Sequence, residues 1–242
     1  MLKDRIKRSF AALPAAVLIS GMTIFQAAAF TMPDRDPVAL YGNEISFDVI
    51  KKGGKVGTHR VVFSRKESGD LGVESRFQLT MTFLTIPIYE FLYRSDAIWR
   101  EGRLKNMTVE ISDGGDNSTI RALPKGQGLA VSGPRGEVDI PGPIYPTNHW
   151  NAGVLSQKQV LNTLNGQISQ VVIADAGRET IKAEGALVEA RKFQYSGDID
   201  TTVWYDDEGR WLKMRFTAKN GSVVDYECTR CGLGRIGKVL SN

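Results

Sequence analysis

The chain has 242 residues, enough for one domain with a substantial core. Its formal net charge is +4, but residues 1–29 hold four of the 31 basic side chains and one of the 27 acidic ones, so a chain cleaved after Ala29 is left near +1. A near-neutral protein offers no electrostatic case for nucleic acid or an anionic membrane as partner.

Lys3, Arg5, Lys7 and Arg8 form a positive start, and an apolar run over residues 10–25 follows, broken by Pro14, Ser20, Gly21 and Thr23. Gln26-Ala27-Ala28-Ala29 supplies a small-residue cleavage site. The run falls short of the ~20 residues a membrane span needs. The expectation is a signal peptide over residues 1–29, cleaved on export, and a periplasmic or secreted mature chain; an uncleaved anchor is the weaker alternative. No later apolar stretch reaches spanning length, and no Cys at the cleavage point suggests a lipoprotein.

Residues 30–40, with Pro33 and Pro37, read as a leader. From residue 41 to 228 the pattern is mostly of period two, in short runs separated by Gly-rich turns. Ile45, Phe47 and Val49 alternate with polar residues, as do Phe77, Leu79 and Met81. Later strands are expected at 171–173, 179–183, 187–195, 201–205, 211–216 and 223–228. This predicts one mainly β domain, an antiparallel meander forming a strongly curved sheet or open barrel. One short helix is expected at about 156–164, because Ser156 and Gln159 make a capping box and Val160, Leu161 and Leu164 would share a face. Residues 229–242 read as a Gly-rich basic tail.

Ile98-Trp99 followed by Glu101-Gly102 is echoed by Val203-Trp204 followed by Glu208-Gly209, each a strand, a Trp, a Glu-Gly turn and a strand. These segments, with Tyr93-Arg94-Ser95-Asp96 and Asn148-His149-Trp150-Asn151, resemble an uncharacterised family of exported bacterial proteins, a domain of unknown function, over most of residues 41–226. That family is similar in pattern to periplasmic open-barrel families thought to hold lipid-like molecules. The resemblance implies a β-rich envelope protein and carries over no catalytic residue.

Several residues invite chemistry. Cys228-Thr229-Arg230-Cys231 is followed by Gly232 rather than His, which excludes a haem attachment string, and two Cys with two His are too few spaced ligands for a zinc site. A local disulfide in an oxidising compartment is the simplest reading, with a redox pair or free thiols as rivals. Gly232-Leu233-Gly234-Arg235-Ile236-Gly237 matches a dinucleotide-binding string, but the chain given ends at Asn242, without room for the helix that string requires. His149 is either a loop-locking residue beside Trp150 or a general base of a hydrolase. Residues 83–92 form the most apolar stretch, with Pro87 arguing for an edge, a bend or a short helix. The expected ligand-binding set is Phe83, Leu84, Ile86, Tyr89, Phe91, Tyr93, Trp99, His149, Trp150 and Trp204. They would take an apolar or lipid-like small molecule on the concave face, with no cofactor and no catalytic cluster. A partner-binding envelope module is the remaining alternative.

Overall fold

The computed structural model describes residues 35–218 and 221–234. The expected signal peptide, the start of the leader and residues 235–242 of the tail lie outside them. A short helix, α1 (Pro37–Tyr41), opens the described chain; the Asp36 carboxylate accepts from the Ala39 amide and Pro37 fills the first turn. The expected leader therefore ends inside a helix.

Fifteen strands form one sheet. From β1 (Glu44–Lys51) the chain meanders through β2 (Gly54–Arg65), β3 (Leu71–Phe83), β4 (Ile86–Arg100), β5 (Arg103–Asp113), β6 (Asp116–Lys125), β7 (Gly128–Gly133) and β8 (Gly136–Ile140). A crossing segment then carries β9 (Tyr145–Pro146), a 3-10 turn (Ala152–Ser156) and β10 (Gln159–Leu161) to the opposite edge. The return runs through β11 (Ile168–Ala183), β12 (Ala186–Gly197), β13 (Thr201–Tyr205), β14 (Trp211–Thr217) and β15 (Val223–Arg230), which pairs with β1. The β9–β10 pair is parallel and every other strand pair described is antiparallel. The edge strands β8 and β9 do not pair, so the barrel-like sheet stays open.

Period two explains the curvature. Ile45, Phe47 and Val49 of β1 are each at most 1% exposed, while Glu44, Ser46 and Asp48 face outward. The same alternation buries Met107, Val109 and Ile111 of β5. The hidden face rolls around one core centred on Trp211, whose ring lies 4.2 Å from that of Phe47. Burial of such an aromatic contributes about 4–6 kcal/mol in gross terms at ~25 cal/mol per Å².

Two tyrosines hold the crossing segment against this core. The Tyr41 hydroxyl donates to the Trp150 carbonyl and accepts from the Trp211 amide, both at 2.9 Å. The Tyr205 hydroxyl donates to the His149 carbonyl at 2.7 Å.

The expected helix at 156–164 is replaced by the 3-10 turn and by β10. Gln159, Val160 and Leu161 pair with Gln170, Ser169 and Ile168 of β11, and Val160 and Leu161 also meet Tyr145 and Pro146 of β9. Two neighbouring strands thus offer backbone partners that outweigh a local capping signal. Leu164 is left 55% exposed instead of sharing a buried face with Val160 and Leu161. The expected strands at 171–173 and 179–183 are one strand, β11, with a register shift between Asp175 and Arg178 where Gly177 adopts φ +90°.

Candidate functional site

The expected ligand-binding residues separate into distinct environments. Tyr93, Trp99, His149 and Trp150 are buried in the packed interior. Trp99 stacks edge-on against Trp150 at 5.2 Å, and Trp150 against Phe63 at 5.4 Å. Ser95 and Thr163 face the Tyr93 hydroxyl. Trp204 is 1% exposed and sits with its cross-strand neighbours Lys192 and Lys213, whose ammonium groups lie 5.6 and 5.1 Å from its ring. It therefore does not join His149 and Trp150 around one ligand. These residues contribute to the buried core.

Leu84 and Ile86 occupy a different place. The β2–β3 pairing stops at Gly57 and Leu79, and the β4–β5 pairing stops at Phe91 and Asp113. Apart from Glu90, whose carbonyl also accepts from the Gly114 amide, residues 80–83 and 86–90 pair with each other, so this hairpin extends past the sheet body as a two-stranded ribbon of about 13 Å. Pro87 sits there because β4 has no β5 neighbour at that level. Pro87 thus lies within a strand, at a place where that strand is locally an edge. Leu84 is 79% exposed, and Ile86 and Ile88 65% each. The side chain of Phe83 lies outside the described part. Tyr89 and Phe91 connect the ribbon to the interior. Opposite them stand Met81 and Leu79, so the inner face runs apolar from tip to core.

The turn at the tip is strained. Leu84 and Thr85 have φ +48° and +75°, two successive non-glycine residues in the left-handed region. Tight hairpins normally place Asn-Gly there. Each such residue costs on the order of 1 kcal/mol or more and tends to mark a functional segment. Beside the ribbon stands the β1–β2 turn with Lys51, Lys52 and Lys55; the Lys51 ammonium lies 3.1 Å from the Met81 sulfur. Lys55 pairs with Asp48 at 2.6 Å. Tyr89 braces the other side through its hydroxyl, which donates to Asp113 at 2.6 Å.

His149 packs edge-on against Tyr195 and tilted against Trp211, with both centroids at 5.5 Å. Burial pushes its imidazole down to about 4, and no carboxylate contributes. His59, which sequence reasoning did not single out, also packs against Trp211, at 5.6 Å, and accepts or donates a 2.7 Å bond with Ser75. Desolvation and the neighbouring His149 push His59 down to about 3. A general base needs a protonatable ring within reach of substrate. His149, buried among aromatic rings with its carbonyl held by Tyr205, fits the loop-locking reading. Among the described residues, no group of three or more His, Cys, Asp and Glu could hold a metal ion.

Cys228 and Cys231 lie at disulfide distance, with Cα atoms 6.2 Å apart. The glycine string that follows makes no phosphate cradle in its described part, Gly232-Leu233-Gly234. One Glu184 carboxylate oxygen takes the Cys231, Gly232 and Leu233 amides, the last two at 2.7 and 3.4 Å. Gly232 packs on α1, where a Cβ would come within 2.9 Å of the Leu40 carbonyl.

Among solved structures, a beta-barrel-like protein of domain of unknown function DUF1849 from Brucella abortus superposes with a TM-score of 0.55 at 9% identity, over 77% of this chain and 95% of that one. That likeness concerns the fold. No curated protein matches the sequence. The family profile of DUF6134, a domain of unknown function, matches residues 47–229, from within β1 to within β15; the chain belongs to this family.

Proposed function

We propose that the chain is an exported, non-enzymatic envelope protein that docks on anionic lipid surfaces through the β3–β4 ribbon. The carrying observation is the ribbon itself: Leu84, Ile86 and Ile88 stand exposed on a strained turn beyond the sheet, next to Lys51, Lys52 and Lys55. An isolated two-stranded ribbon is marginal in water, and apolar tips gain by leaving it. Lys51 and Lys52 at the same level add attraction to anionic headgroups, about 1 kcal/mol each near the surface, while Lys55 is paired with Asp48. A chain near neutral overall therefore concentrates its membrane-seeking groups at one end. The amphiphile is met at that end rather than inside, because Trp211, Tyr195, Tyr205 and Phe47 are each at most 1% exposed and fill the interior. Export rests on the basic start, the apolar run and the alanine site of residues 1–29. A cysteine pair at disulfide distance fits an oxidising compartment.

Flotation of the cleaved protein with phosphatidylglycerol vesicles tests this reading. The protein should rise with those vesicles, less so with phosphatidylcholine and less in high salt, and Ile86→Ser/Ile88→Ser should lose more than tenfold in affinity. Equal flotation of that folded variant would discard the proposal.

A further inference from the structure

The outer face of the first arm carries a row of arginines that neither the packing nor the ribbon uses. Arg60, Arg76 and Arg94 stand directly opposite one another across β2, β3 and β4. Their side chains are 54%, 58% and 49% exposed. Facing cross-strand pairs have Cβ atoms about 5 Å apart, and like charges so placed repel.

Glu74 and Asp96, on one side of the row, and Glu44 and Glu110, at its two ends, relieve this repulsion. Glu74 and Asp96 are themselves cross-strand partners, two residues along from Arg76 and Arg94. They meet those arginines through Nε, with Arg94 at 3.0 Å from Asp96. An arginine has five N–H donors, so each keeps the four on its terminal nitrogens for a second partner. Glu44 binds Arg60 at the end of the row.

On the other side the arginines border a groove of about 680 Å³. It is open to solvent, and its volume would admit a small molecule. Gln78, Ser112, Asn117 and Thr119 give it an uncharged hydroxyl and amide wall, and Leu92 an apolar patch. Glu110, opposite Arg94, is the single carboxylate among its lining residues. Each arginine already meets a carboxylate, so the case for an anion rests on the terminal N–H groups that Arg76 and Arg94 do not use in those contacts; beside a neutral hydrogen-bonding wall they suit an anion carried on a polyol. Guanidinium forks bind phosphate in a bidentate manner, while the amides, hydroxyls and Glu110 suit sugar hydroxyls.

We infer that this groove binds a phosphorylated saccharide of one or two rings, free or as a lipid headgroup. The inference stands apart from the ribbon, since different side chains on different strand segments carry it.

Isothermal titration of the cleaved protein with glucose 1-phosphate, inorganic phosphate and glucose tests it. Glucose 1-phosphate should bind more tightly than phosphate, glucose should not bind, and affinity should fall with salt. Arg76→Gln and Arg94→Gln should each weaken binding at least tenfold with unchanged circular dichroism. Lys125→Gln, outside the groove, and Ile86→Ser/Ile88→Ser should bind as the parent does. A second arm uses phosphatidylinositol phosphate in phosphatidylcholine vesicles. Arginine-dependent binding there, without binding of glucose 1-phosphate, assigns the lipid headgroup as the source of the same chemistry. Absence of binding in both arms, or binding indifferent to both arginine variants, overturns the inference. Loss of vesicle flotation through the ribbon variant alone leaves the groove's titration intact, so the two proposals fail separately.

Discussion

His59 and His149, the two histidines of the chain, both pack against the Trp211 ring, at 5.6 and 5.5 Å. They lie 90 positions apart in sequence and meet because the crossing segment folds back over β2 and β14. Both rings are held neutral: burial pushes His149 down to about 4, and burial with His149 nearby pushes His59 down to about 3. In the unfolded chain each titrates near 6.5. Below that pH the unfolded state binds protons that the folded state refuses, so stability is full above about 6.5 and falls as pH drops toward 4. For His149 the loss is roughly 3 kcal/mol at the bottom of that range. Urea midpoints should be flat from neutral pH upward and decline on the acid side. His149→Phe should flatten part of that decline, and an unchanged profile in that variant would contradict the assignment.

Tyr41 makes a second testable point. Its hydroxyl gives its proton to the Trp150 carbonyl and takes one from the Trp211 amide, joining α1, the crossing segment and β14 at one buried atom. Burial holds that hydroxyl well above its ordinary range, so it remains protonated. Tyr41→Phe leaves both backbone groups without this partner, and the expected loss is about 2–3 kcal/mol in equilibrium unfolding. Tyr205→Phe removes the bond to the His149 carbonyl next door. Because the two hydroxyls pin consecutive residues, the double variant should deviate from additivity by more than ~0.5 kcal/mol. Simple additivity would show that the two pins act independently.

The distinction between what was legible in the sequence and what was not follows from locality. Ile45, Phe47 and Val49 announce a one-sided strand because period two is written into adjacent residues. Cys228 and Cys231 announce their pairing because three positions separate them. The DUF6134 match is likewise what the Trp-bearing hairpins and the Asn148-His149-Trp150 segment foreshadow. Ser156 and Gln159 mislead because their local helix signal ignores the two strands waiting on either side of Val160. The arginine row escapes notice for a different reason. Positions 60, 76 and 94 have no common period, and they align only once the turns at 66–70 and 84–85 fold the strands back as mirror images. Marking those turn centres and reflecting the sequence about them is the signal that could have found the row. The same reflection, with the reach of β2 and β5, would have shown that Leu84 and Ile86 extend beyond their neighbours while Trp99 and Trp150 do not.

Glu184 predicts how the end of the described chain is held. Its carboxylate gathers three successive amides after Cys228-Thr229-Arg230, and Arg210 adds a 2.9 Å bond to the Gly232 carbonyl. Arg210 is itself fixed by the buried Asp206, 2.5 Å from its Nε. The loop between the cysteines is tiny, so in the chain-entropy account the disulfide contributes only about 2 kcal/mol. Reduction should leave the segment docked, because Glu184 and Arg210 still hold it. Glu184→Ala should release it and speed hydrogen exchange at Gly232 and Leu233 by more than reduction does. Glu184→Gln keeps an acceptor and should fall between. Faster exchange on reduction than in Glu184→Ala would place the restraint in the sulfur bridge instead.

The turn at Leu84 and Thr85 allows stability and docking to be moved in opposite directions. Both residues hold positive φ, which Asn-Gly adopts at little cost and Leu-Thr does not. Leu84→Asn/Thr85→Gly should therefore stabilise the fold by about 1–2 kcal/mol, read as a raised urea midpoint. The same change removes an exposed apolar side chain of the ribbon, Leu84 at 79%. Flotation with phosphatidylglycerol vesicles should weaken severalfold while the unfolding midpoint rises. A variant that gains stability and still floats like the parent would show that Leu84 serves no docking role.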